Sequence, residues 1–150
     1  MPVTNRGKRV ILEEFFRNPT EFTNLFAVLC TSTTTPTVDT NTLSELTQIA
    51  SGNGYTTNGI SLSRNSTDFD VLTEDDTLDR AFIQIRDLVW TASVGSLPAS
   101  GLGARWAALT DDNVTPGSRQ VIAYWDLVSD RTVSVGQTLT LVDCEIRGTE

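Results

Sequence analysis

The clearest alternation of apolar and polar positions lies in the last third of the chain. GARWAALT (103–110), RQVIAYWDL (119–127) and QTLTLVDCEI (137–146) are apolar, aromatic-bearing runs. Asp111-Asp112-Asn113, Pro116-Gly117 and Gly136 separate them. Runs of this length punctuated by turn residues predict consecutive antiparallel strands at 104–110, 120–127 and 138–146. In the middle strand Val121, Ala123, Trp125 and Leu127 share one face, and Ile122 and Tyr124 the other. A strand apolar on both faces is covered on both. The last is conventional, with Leu139 and Leu141 turned inward and Thr138 and Thr140 to solvent.

Further upstream, FTNLFAVLCT (22–31) predicts another doubly apolar strand. Residues 8–17 (KRVILEEFFR) read as a helix with Ile11, Leu12, Phe15 and Phe16 on one face, ended by Pro19, with a strand at Val10-Ile11-Leu12 as the competing reading. Residues 42–50 predict a short helix or helical turn, with Leu43, Leu46 and Ile49 on one side. Thr42 and Glu45 have the spacing of a capping box. A turn at 51–54 leads to a strand over 55–63, and 68–79 reads as an acidic, irregular stretch. Residues 80–92 (RAFIQIRDLVWTA) predict a long strand. The Arg86-Asp87 pair interrupts its apolar run and suggests a bulge or a change of sheet. Residues 93–102 are a Gly/Pro/Ser loop. The sum is a mainly β chain: an antiparallel β-sandwich, immunoglobulin-like or jelly-roll, with one or two short helices. Residues 1–150 are expected to form one domain, with 1–20 an N-terminal arm and short helix.

Composition adds to this picture chiefly through charge. The net charge of -8 argues against partners held by phosphate neutralisation, so neither nucleic acid nor an anionic membrane surface is expected. No apolar run reaches the ~20 residues of a membrane span, and no signal peptide is visible. Lys8 is the only lysine among 11 basic residues. Arginine suits carboxylate pairing and interfaces. The 23 threonines favour strands, and the tract at 31–37 (TSTTTPT) reads as a loop or extended arm. Cys30 and Cys144 each sit in an apolar run and read as buried free thiols, with a Cys30–Cys144 pair left open.

Candidate chemistry is sparse. The chain has no histidine, which removes the commonest general base and metal ligand. A hydrolase would have to use carboxylates from Glu74, Asp75, Asp76 and Asp79 or from Asp111 and Asp112, and solvated loop acids are the expected reading of both groups. Neither acidic loop has calcium-loop spacing, and Gly52-x-Gly54 lacks the rest of a dinucleotide loop. The acceptor tripeptides at Asn65 and Asn113 carry no weight without a secretory signal. Trp90, Trp106 and Trp125 could form a sugar-stacking platform, although each lies in a strand where packing is expected. No catalytic, cofactor-binding or metal residue, and no cofactor, is assigned.

Three segments in order, LSELTQIASGNGYTTNGISL (43–62), IQIRDLVWTASVGSLPASGLGARWAALTDD (83–112) and RQVIAYWDLVSDRTVSVGQTLTL (119–141), resemble a family of small virion structural proteins of tailed bacteriophages. The resemblance spans about 42–141, and the order and spacing of the segments make it more specific than any one of them. It implies a capsid decoration (cement) protein, or another head or tail role, without catalysis. Gly54, Gly59, Gly136 and the three tryptophans are then framework residues. The implied partners are the major capsid protein and the chain's own copies, a trimer on the outer capsid surface of the virion. A tail, head-fibre or baseplate component with a glycan-binding face is the alternative, and a glycosidase using Asp111 or Glu74 a third. The longer N-terminal part, with KRVILEEFF and the Thr-rich tract, departs from the family's pattern.

Overall fold

A computed structural model describes residues 3–16, 22–78 and 80–148. The chain is mainly β and antiparallel. Among the described residues it has one α-helix, α1 (Asn5–Phe16), and nine strands: β1 (Asn24–Cys30), β2 (Ile60–Ser63), β3 (Val71–Asp75), β4 (Arg80–Ile85), β5 (Leu88–Thr91), β6 (Ala104–Thr110), β7 (Val121–Arg131), β8 (Thr138–Leu141) and β9 (Cys144–Gly148). They form sheets of order β2-β1-β6-β7, β3-β4-β9 and β5-β8. Among the described residues no helix is long and apolar enough to cross a membrane.

The doubly apolar strands sit at the centre, as their pattern requires. In β1, Leu25, Ala27 and Leu29 face one apolar cluster with Leu62, Leu109 and Ala107. Val28 and Cys30 face a second, with Leu43, Leu46, Ala108 and Val121. The first cluster is closed from the other side by Leu88 and Trp90 of β5, Leu139 and Leu141 of β8, Ile85 and Cys144. The four-stranded sheet is thus one layer of a sandwich, and the two small sheets supply the other. The second cluster is closed by the segment after the Thr-rich tract. There Leu43–Glu45 makes a single 3-10 turn, and Glu45 Oε1 accepts the Thr42 N–H at 3.0 Å within the expected capping box. The 42–50 segment is therefore one turn, after which Thr31 N–H donates to Thr47 O and Ile49 N–H to Leu29 O. This backbone takes over the edge of β1 beyond the point where β2 leaves it.

Several sequence expectations are corrected. The strand expected over 55–63 forms only at Ile60–Ser63. Tyr55 is instead buried as an anchor, its hydroxyl accepting the Leu29 N–H at 3.1 Å and donating to Gln48 Oε1 at 2.6 Å. Gly59 then turns the chain at φ +69°, where a Cβ would lie 2.2 Å from Ala27 O. The acidic stretch contains β3, made a strand by pairing with β4 from Val71↔Gln84 to Asp75↔Arg80. On α1 Gly7 and Val10 are buried, while Ile11 is 47% exposed. The helix meets β7 through Gly7, where a Cβ would lie 2.1 Å from Ile122 O. The side chains of Leu12, Phe15 and Phe16, and Pro19 itself, lie outside the described residues.

The long strand expected over 80–92 breaks into β4 and β5, which belong to different sheets. A change of sheet at Arg86-Asp87 was one of the two options its sequence offered. The strand expected over 138–146 breaks as well, into β8 and β9. The two breaks face each other: Ile85 pairs with Cys144 and Leu88 with Leu141, three residues on along one run and three back along the other. One antiparallel ribbon therefore keeps its register while turning from one sheet into the next. At the joint the Arg86 N–H is taken by Asp68 O, and Asp143 adopts φ +53°.

Candidate functional surface

The sequence-derived acids do not converge. Glu74, Asp75 and Asp76 lie along the β3–β4 hairpin, with Asp75 accepting from Arg80 Nε at 3.3 Å, and Asp79 lies outside the described residues. Asp111 and Asp112 belong to the connection between β6 and β7, where both are occupied with backbone. Asp111 Oδ1 accepts from the N–H groups of Asn113 (3.3 Å) and Gln120 (3.1 Å), and its Oδ2 from Gln120 Nε2 (3.0 Å). Asp112 Oδ2 accepts from the N–H groups of Thr23 and Asn24. These carboxylates tie the β6–β7 connection together and fasten the start of β1 to it. Among the described residues no group of three or more His, Cys, Asp or Glu side chains could hold a metal ion.

Beside Asp111 lies a buried arginine that sequence reasoning missed. Arg119 is 4% exposed. It donates to Asn113 O and Asn58 O at 3.0 Å each, and its guanidinium lies 3.9 Å from the centroid of the Phe26 ring. Desolvation pulls its pKa down, while Asp111 and Asp112 push it up. The RQ preceding an apolar run gives no signal of this, because the partners are distant carbonyls. Other arginines pair with carboxylates of their own chain, among them Arg80–Asp75, Arg86–Asp68, Arg105–Asp126 and Arg147–Glu145. Much of the arginine bias is thus spent within the molecule.

The cysteines are both buried and free. They belong to different clusters, Cys30 to the one under Leu43 and Cys144 to the one under Trp90. Burial pushes the Cys30 thiol up to about 12 and the Cys144 thiol up to about 11. Both are small apolar groups, not nucleophiles.

The three tryptophans do not form one platform. Trp90 is core, at 3% exposure. Trp106 is half-buried, stacked edge-on against Tyr124 with centroids 6.1 Å apart, and its Nε1 has no hydrogen-bond partner among the described residues. Trp125 alone lines an open groove of about 520 Å³ between the outer half of β7 and β8.

Two kinds of surface remain available for contact. One is the β3–β4 hairpin, where β3 is an edge strand and Leu72 (77%) and Leu78 (59%) stand exposed. The other is this groove. No known protein-family model matches the chain, and neither the curated proteins nor the solved structures contain a match.

Proposed function

We propose that this chain is a structural protein of a tailed-phage virion, a capsid decoration (cement) protein. It would bind the major capsid protein and its own copies, as a trimer on the outer surface of the head, and would perform no catalysis. The reading rests on the resemblance across residues 42–141. The observation that carries it is the β3–β4 hairpin: an unpaired strand edge flanked by exposed Leu72 and Leu78. Natural proteins shield such edges or use them for pairing with another chain. Glu74 and Asp76, both exposed on the same hairpin, keep the free chain soluble and disfavour pairing between two identical β3 edges. The net charge of -8 suits a protein on the outside of a shell, away from packaged DNA.

Weak single contacts suffice when many linked copies bind one lattice. The test is to mix purified chain with empty expanded phage heads, pellet the heads and count bound chains against capsid subunits. Near-stoichiometric binding, reduced at least tenfold by Leu72→Ser with Leu78→Ser, is the expected outcome. Absence of binding, together with absence of the chain from purified virions, overturns the proposal.

A further inference from the structure

We propose that the groove between the outer half of β7 and β8 is a binding site for a short neutral saccharide, one or two sugar rings long. Its volume of about 520 Å³ falls within the small-ligand range of roughly 300–1,000 Å³. The proposal is independent of the capsid reading, since it concerns a different surface.

Sugars present apolar C–H faces and a rim of hydroxyls, and the groove offers a counterpart to each. Trp125 supplies a flat apolar ring. Its Nε1 donates to Glu145 O at 3.2 Å, so the indole is tied to β9 and its position costs little to fix on binding. Leu127 and Val133, half-buried and also lining the groove, add apolar surface. Thr132, Thr138 and Thr140 line it as well and are exposed; their hydroxyls make no hydrogen bond to the described residues. A hydroxyl both donates and accepts, which matches another hydroxyl better than it matches a charge. Among the described residues β8 is paired only with β5, so its other edge adds main-chain donors and acceptors.

The opposite wall is built, not incidental. Between the pairs Ala104↔Arg131 and Trp106↔Asp126 the register of β7 against β6 shifts, and the surplus residues of β7 bulge outward. At the bulge Val128 adopts φ +70°, a strained conformation for a β-branched residue. Three side-chain bonds hold it there. Asp126 Oδ1 accepts the Val128 N–H at 2.6 Å, and Arg131 donates Nε and Nη2 to Leu127 O at 3.2 and 3.1 Å. Asp126 is itself fixed by Arg105 at 2.6 Å. Strain of this kind, held by residues that line a groove, is characteristic of ligand sites.

Charge selects the class of sugar. Asp126 and Arg131 place one charge of each sign on the same wall, so the groove has no net preference for an ion. The overall charge of -8 repels acidic saccharides. A neutral ring is what remains.

The test uses the whole chain on a glycan array and in ligand-observed NMR with maltose, lactose and chitobiose. At least one neutral saccharide is expected to bind with a dissociation constant on the order of 1 mM, as for shallow, solvent-open sites. Trp125→Ala should weaken it at least about tenfold. Should that variant fail to fold, Thr138→Val with Thr140→Val carries the test, since both positions are exposed and valine suits a strand; a loss of about threefold or more is expected. Val94→Ala, at an exposed loop position outside the groove, should bind as the parent does. The proposal is overturned if nothing on the array or in the panel binds, if binding survives both groove variants, or if only extended peptides bind.

Discussion

The four-stranded sheet and the three-stranded β3-β4-β9 sheet are both antiparallel, yet they carry opposite burial. In β1 and β6 the last four residues are all buried; in β4 only Ile85 is, and β3 has no buried residue. The difference follows from what lies on either side. The central sheet has an apolar cluster on each face, whereas the outer sheet reaches a core only from its inner side, fully at Ile85 and Cys144 and partly at Ile83 and Ile146. Beyond that point its side chains rely on ion pairs such as Arg80–Asp75 and Arg147–Glu145, which are worth little in water. One sheet therefore stabilises the molecule, and the other is left to present surface.

This contrast can be broken or sharpened by five measurements. Gly59→Ala should do the most damage, because the new methyl would meet the Ala27 carbonyl while the backbone holds φ +69°. A loss of about 4 kcal/mol or more in urea denaturation is expected. Leu29→Ala, in the central sheet at 0% exposure, should cost about 3 kcal/mol. Leu72→Ser, on the outer sheet, should change stability by less than about 0.5 kcal/mol; comparable losses at the two leucines would erase the distinction.

Arg119→Met keeps much of the side chain's bulk but removes the donors to Asn58 O and Asn113 O, and should cost about 2 kcal/mol. A further effect concerns acid. Asp68, hydrogen-bonded by Arg86 and by the Ser63 N–H, is held below the usual carboxylate range. A carboxylate whose folded pKa is depressed contributes stability above its unfolded value, near 4. That contribution disappears as pH falls through the folded value. Stability should therefore drop below about pH 4 by less than about 1 kcal/mol through this group. Asp68→Asn should flatten that part of the profile, and an unchanged slope would show that the pair does not matter.

Much of the central sheet was legible because its strands are selected by burial, and burial writes itself into the apolar pattern. β1, β6 and the inner half of β7 lie where FAVLC, WAAL and VIAYW place them. The interruption at Arg86-Asp87 was legible too, as a flaw in an otherwise apolar run. Its counterpart at Val142-Asp143 was not, because LVDCEI reads as unbroken; that break exists only because its partner strand turns. β3 was hidden for a related reason. VLTED has no strand periodicity worth the name, and it is extended because β4 pairs with it. At the candidate groove, the sequence nominated Trp125 together with two other tryptophans that play different parts. The bulge at Val128 and the role of Arg131 depend on a register shift between β6 and β7, which no local pattern encodes.

The ribbon that turns between sheets also bears on how the molecule can form. β4 and β5 have partners more than 45 residues further along the chain, and β1 waits even longer for β6. Pairings this distant demand that long loops close before any contact rewards them, which places folding in the slow, millisecond-to-second regime. On a ribosome the consequence is one of order. Residues 80–91 emerge well before 138–148, so β4 can pair with β3 at once while the ribbon closes only after 138–148 have been made.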